Sequence, residues 1–248
     1  MATTKRPQAP IFKTPRGTFV FPKINEPDYK FKKEGEFSLK LRVTEGDDAV
    51  QDFIATLRPL YDAAIAKADQ AFKALPVKSR KEFEAKGVKS AVANPLYSIV
   101  YDEATEEPTG EIEFKFSLAA SGTIEKGKNA GKSWVKRPAI VNERGEVVVK
   151  GIEFKFLTKD DNKEELIGNQ GPNVWGGTVG KVNFEVGLDA DGDPGYFVPG
   201  TAAAGLSLRL RAVQFIELVS GGERDYGFGN EAGDDAEDAP FERAEADF

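Results

Sequence analysis

The sequence predicts a mainly β fold, a small barrel or sandwich with one helical insertion. Strand-like alternation of apolar and polar residues recurs along most of the chain, and Gly-containing turns separate the alternating segments. Period-3.6 spacing is confined to one early stretch, so helices and strands do not interleave as a parallel α/β sheet requires.

Taken in order, residues 1–15 read as a loose, Pro-containing basic arm, and "GTFVFPKI" as a short strand stopped by Pro22. In "EGEFSLKLRVTEGDD" Phe37, Leu39, Leu41 and Val43 face one way and Glu36, Ser38, Lys40 and Arg42 the other. The helical stretch begins near Asp47 or Asp48, either of which can cap it, and carries a stripe of Phe53, Leu57, Leu60, Ala64, Ala68 and Phe72. Pro59 is expected to break it in two, Pro76 to end it, and "VKSRKEFEAKG" to form an irregular or short helical link. "PLYSIVYDE" and "GEIEFKFSLAASG" are strands around a turn at "ATEEPTG", with Phe114 and Phe116 on the core face. "SWVKRPAIVNERGEVVV" reads as strand, turn, strand, and "VGKVNFEVG" as a strand entering a turn. "GLSLRLRAVQFIELVSGG" is the last strand, long enough to need a bulge. Six or seven strands result, and no internal repeat organises the chain.

Composition narrows the chemistry. With 0 Cys and 0 His, disulfides, thiolate metal sites, cysteine nucleophiles, Ser-His-Asp triads and HExxH zinc sites are excluded. No apolar run of membrane-spanning length and no signal-peptide core is present, which points to an intracellular protein. The net charge of -7 hides a polarised distribution. Glu223 to Phe248 holds ten acidic residues against Arg224 and Arg243, a net of -8, so the first 222 residues carry +1. An acidic total is thus compatible with a polyanionic ligand.

Two motifs invite a ligand and fail on spacing. "GKNAGKS" places three residues between Gly127 and Gly131 where a P-loop needs four, and a strand-like "WVKRP" follows where a helix should open. "DADGDPG" starts like a calcium loop, but the twelfth position from Asp189 is Gly200 and not an acid; a solvent-facing turn is the preferred reading. No pair of carboxylates is marked for acid-base work, so no enzyme activity and no cofactor are expected.

Interleaved cations and rings are more informative, because single-stranded nucleic acid needs charges along its phosphates and rings for its bases. Trp134 lies among Lys126, Lys128, Lys132, Lys136 and Arg137, with a ring covering a core edge as the alternative. Lys40 and Arg42 share one strand face and Arg209 and Arg211 another; with Lys115 they line one groove if their strands are neighbours, and otherwise merely solvate their strands. Trp175, Tyr196 and Phe197 fall in loops, where large rings are harder to bury. The helix has no excess of positive charge, so it is a poor reader of a duplex major groove.

The order of these segments, with an acidic tail closed by "ADF", resembles the single-stranded DNA-binding proteins of tailed bacteriophages, most closely the podovirus-type replication proteins. The resemblance rests on "RGTFVFPKINEPDYK", "GEIEFKFSLAAS", "VGKVNFEVG", the closing strand and the tail. It implies a five-stranded OB barrel with added hairpins that binds single-stranded DNA in replication, recombination and repair within the host cytoplasm. It further implies that Asp234, Asp235, Glu237, Asp238, Glu242, Glu245, Asp247 and Phe248 contact the phage DNA polymerase and helicase-primase, and leaves a homodimer open. Physics gives the tail a second use: a tethered anion meets a cationic groove at roughly millimolar effective concentration and competes with nucleic acid until displaced. The expected organisation is a basic arm over 1–15, one domain over 16–222 with a helical insertion at about 49–86, and an acidic tail over 223–248. A virion or scaffolding protein and a metal-dependent nuclease are the competing readings.

Overall fold

The computed structural model describes residues 7–220. Its elements run β1 (Ile11–Lys13), β2 (Gly17–Asp28), β3 (Glu36–Thr44), α1 (Asp48–Lys73), α2 (Val77–Glu84), β4 (Val92–Ala93), β5 (Ser98–Tyr101) and β6 (Pro108–Ala119). They continue with β7 (Ser121–Thr123), β8 (Ser133–Arg137), β9 (Ala139–Val141), β10 (Val147–Val149), β11 (Ile152–Phe156) and α3 (Lys163–Ile167). The last four are β12 (Val179–Val186), β13 (Tyr196–Val198), β14 (Ala203–Gly205) and β15 (Leu208–Glu217).

Five strands close a barrel. β2, β3 and β6 form an antiparallel meander, β15 runs parallel to β6 with Arg209 opposite Ser117, and β12 joins β15 to β2. This is the OB-like architecture, five strands closing one small cylinder with no free edge between them. Closure occurs where Thr18 and Gly17 meet Val179 and Gly180. A Cβ on Gly17 would lie 2.5 Å from the Arg42 carbonyl oxygen, and one on Gly180 would collide with the Phe19 ring, so the seam depends on glycine. The alternation read in β3 holds, with Phe37, Leu39, Leu41 and Val43 buried. They meet Phe19, Phe114, Phe116, Val182, Phe184 and Val213, and each such ring contributes about 1.5–3 kcal/mol by leaving water.

The helical insertion stoppers one end of the barrel. Phe53 of α1 sits edge-on to Phe114 at 5.1 Å and to Phe184 at 5.9 Å, and the expected stripe is buried apart from the half-buried Leu60. The expected break at Pro59 does not occur: α1 runs unbroken for 26 residues. A proline removes one N–H bond, and the packed face of a long helix outweighs that loss. Asp47 is the N-cap residue but its side chain makes no capping hydrogen bond.

Three expectations change. Pro22 does not stop its strand, since β2 runs on through it to Asp28. The loose arm already has a strand in it, because Ile11–Lys13 pairs with β12 and buried Thr14 bonds to Val182 through both backbone and hydroxyl. The strands are more numerous and shorter than read, with a second sheet β11-β8-β7 and a third, β13-β14-β4, beside the barrel. The third packs on α1, where Gly195 lies against Ala64. The bulge expected in the last strand is present, and twice: Arg211 is the extra residue between Leu210 and Ala212, and Ile216 between Phe215 and Glu217. No helix among the described residues is long and apolar enough to cross a membrane.

Candidate nucleic-acid interface

Register brings the predicted cations onto one outer face. Lys40 of β3 lies opposite Lys115 of β6, and Arg209 of β15 lies opposite Ser117 of β6 and Glu185 of β12. Two adjoining cavities follow this face. One, of about 630 Å³, is lined by Lys115, Ser117, Arg209, Tyr196 and Phe197. The next, of about 490 Å³, is lined by Leu118, Lys136, Phe154, Glu185 and Arg211. Arg209 of the first cavity lies 3.9 Å from Glu185 of the second, so the two adjoin as one groove, with Tyr196 and Phe197 lining the first part and Phe154 the second.

The cations are not equivalent. Lys40 and Arg42 both reach Glu113 at 2.7 Å, and Arg42 reaches Glu111 at 3.7 Å. Burial alone would raise the Glu113 carboxyl, but the bonds from Lys40 and Arg42 outweigh it and hold it below the usual carboxylate value. Arg209 and Arg211 flank Glu185 at 3.9 Å each, and Arg211 also pairs with Glu153 on β11. Lys115 is exposed and takes part in none of the ion pairs among the described residues. Lys136 is half-buried; burial and then the charge of Arg209 push its ammonium below the ordinary lysine value, and Glu185 partly opposes them. A phosphate arriving between Lys136 and Arg209 relieves that repulsion.

Trp134 is one step removed from the groove. Its ring lies on Gly122, where a Cβ would be 2.6 Å away, and stacks on Phe154 at 5.7 Å and 25°. Phe154, 46% exposed, is the ring that lines the cavity, and Lys136 sits over both rings at 5.4 and 5.9 Å. Phe154 is absent from the sequence-based candidates because "GIEFKF" was not assigned to a strand. The signal available was its alternation of Ile152, Phe154 and Phe156. Lys132 lies over Phe156 at 5.3 Å, and Lys126 and Lys128 are exposed in the turn between β7 and β8.

At the other end, Tyr196 and Phe197 belong to β13 and not to a loop. The Tyr196 hydroxyl accepts from the Asn94 amide at 2.6 Å. The preceding aspartates form the expected solvent-facing turn, and it is tied to α1. Lys67 of α1 places its ammonium 2.6 Å from Asp189, 2.9 Å from Asp191 and 2.7 Å from Asp193, which raises its pKa. Among the described residues no group of three or more His, Cys, Asp or Glu is arranged to hold a metal ion.

Two further candidates keep their side chains out of the groove, although Arg137 stands in the wall of the cavity of about 490 Å³. Arg137 is a correction: it is 2% exposed, and its guanidinium donates to the carbonyls of Leu166 at 3.3 Å, Gly168 at 3.0 Å and Asn25 at 3.0 Å. It ties β8, the end of α3 and β2 together and is closed to solvent. Trp175 lines a different cavity, with Phe21 and Lys23. The calls on Asp234, Asp235, Glu237, Asp238, Glu242, Glu245, Asp247 and Phe248 lie outside the described residues.

No protein-family model and no curated protein sequence matches this chain. Among solved structures it is similar to the crystal structure of gp2.5, a single-stranded DNA-binding protein encoded by bacteriophage T7, with a TM-score of 0.52 and 20% identity over 94% of this chain and 100% of that one. At that identity the likeness is one of fold, and it agrees with the five-stranded barrel traced above. The single-stranded DNA-binding protein from bacteriophage Enc34 in complex with single-stranded DNA aligns at 11% identity and TM-score 0.44, over 88% of this chain and 98% of that one.

Proposed function

We propose that this protein binds single-stranded DNA without strong sequence preference, coating replication and recombination intermediates. The observation that carries the reading is the groove itself: Lys115, Lys136, Arg209 and Arg211 line it together with Tyr196 and Phe197 in one part and Phe154, backed by Trp134, in the other. Stacking on rings and pairing with phosphates both tolerate any base. The resemblance to gp2.5, whose name states single-stranded DNA binding, supports the same ligand.

The acidic C-terminal residues complete the proposal. Asp234 to Phe248 compete for the groove when DNA is absent and engage a phage DNA polymerase and helicase-primase when DNA displaces them, with Phe248 as the apolar anchor. Anisotropy of a labelled oligo(dT) tests the core of the reading: micromolar binding that weakens steeply with salt is expected. Salt-insensitive binding, or none, overturns it. Removing residues 231–248 is expected to tighten binding at low salt, and Phe248→Ala to weaken polymerase capture.

A further inference from the structure

We infer a second base-stacking station at Phe21 and Trp175, through which a strand leaving the groove continues. This rests on the function proposed above and names residues outside the groove.

The first observation is backbone strain. Val20 and Lys23 of β2 face Lys40 and Ser38 of β3, so Phe21 and Pro22 stand against Leu39 alone and form a bulge. Phe21 occupies it at φ 48°, a left-handed conformation that glycine adopts freely and a large side chain resists. The ring is nevertheless 79% exposed, so core burial does not compensate for the strain. Strain held at an exposed aromatic points to a ligand that uses the ring.

The second observation is a built cavity. Phe21, Lys23 and Trp175 line a space of about 340 Å³, within the range of small-ligand pockets. Trp175 is 54% exposed, yet its backbone is fixed: its N–H donates to Val219 at 2.9 Å and its carbonyl accepts from Thr178 at 3.2 Å. Buried Asn25 pins the same loop, donating to Gln170 and Pro172 at 2.9 and 2.7 Å and accepting from Val174 at 3.0 Å. Asn25 in turn gives its carbonyl to Arg137, so the loop is tied through to β8. An exposed ring on a rigid mount is pre-organised to stack.

The third observation is continuity. Lys115, Lys40 and Val20 are in register across β6, β3 and β2, so the bulge begins two strand spacings, about 10 Å, from the groove cation Lys115. Exposed Lys23 and exposed Glu26 both line the cavity, so its charges balance and the rings, not charge, mark it for a base. The occupant is therefore a nucleobase of the strand already held in the groove.

Trp134→Phe leaves Trp175 as the sole tryptophan, and its emission reads the station directly. Oligo(dT) from about 4 to about 16 nucleotides, the span of OB site sizes, is titrated while anisotropy reports binding. Quenching of Trp175 by the longer oligonucleotides only is expected. Trp175→Ala and Phe21→Ala are each expected to weaken the longer oligonucleotides about ten-fold and the shortest ones little. Phe21→Gly removes strain and ring together, so its melting temperature should equal or exceed the parent's while long-strand affinity falls. A lowered melting temperature would make Phe21 a packing residue and overturn the inference. Binding by anisotropy with unchanged Trp175 emission overturns this station and leaves the proposed function standing; no binding by the parent protein, with both tryptophans in place, at any length removes both. Trp175 emission that varies with protein concentration alone assigns the cavity to a second copy, which also overturns the inference.

Discussion

The pentapeptide Ile-Glu-Phe-Lys-Phe occurs twice, as Ile112–Phe116 in β6 and Ile152–Phe156 in β11, and the two copies have opposite fates. In β6, Ile112, Phe114 and Phe116 are buried in the barrel, Glu113 is an 8% exposed partner for Lys40 and Arg42, and Lys115 is free to face the groove. In β11, Phe154 lies open to the groove, Glu153 is 84% exposed, and Lys155 is held by Asp161. Asp161 is lowered to about 2 by the Lys155 ammonium and then by Thr158. Identical residues thus supply core in one strand and the lining of a groove in the other. What differs is partnership: β6 lies between β3 on one side and β5 and then β15 on the other, with α1 beneath, whereas β11 is an edge strand paired to β8 alone.

Equivalent substitutions in the two copies test that contrast, and the rings should differ most. Phe114→Ala is expected to cost about 4 kcal/mol in urea unfolding, and Phe154→Ala under about 1 kcal/mol. The order should reverse for DNA, with Phe154→Ala weakening oligo(dT) binding about ten-fold by anisotropy. Equal losses of stability would break the comparison. The glutamates come next. Glu113→Gln should cost about 2 kcal/mol, since Lys40 and Arg42 lose their shared negative charge and one of its two accepting oxygens, while Glu153→Gln should leave stability unchanged and tighten DNA binding a few-fold by freeing Arg211.

Acid titration sharpens the same pair. Because the folded Glu113 carboxyl is depressed, its contribution to stability is complete above its ordinary value of 4.5 and is lost as pH falls through the lower folded value. Unfolding measured across that window should lose this component in Glu113→Gln and keep it in Glu153→Gln. The lysines should differ least. Lys115→Gln is expected to reduce the salt slope of DNA binding by about one, and Lys155→Gln to leave it unchanged.

Sequence patterning was a good guide wherever one partner face dominated. The inward set of β3, the α1 stripe and the need for a bulge in β15 all follow from period and length alone, because barrel and helix bury one face each. The errors have equally physical causes. Arg137 was grouped with its basic neighbours, yet alternation in "SWVKR" puts it on the side of buried Val135, opposite Trp134 and Lys136. Charge composition hid a period that was present. Phe154 was missed for another reason: no local pattern tells a ring on an edge strand from a ring in a core, since burial is decided by which strands arrive beside it. Phe21 is legible only from its backbone angle, which composition does not encode.

The ammonium of Lys67 amid Asp189, Asp191 and Asp193 has a further consequence for the groove. A turn that leads into Tyr196 and Phe197 is fastened to α1 by a charge carried on the chain itself, so its fastening does not vary with dissolved divalent ions. Chelators should leave that end of the groove in place, and calcium should not tighten it. The lysine takes the place in this turn that a bound cation would otherwise have to fill.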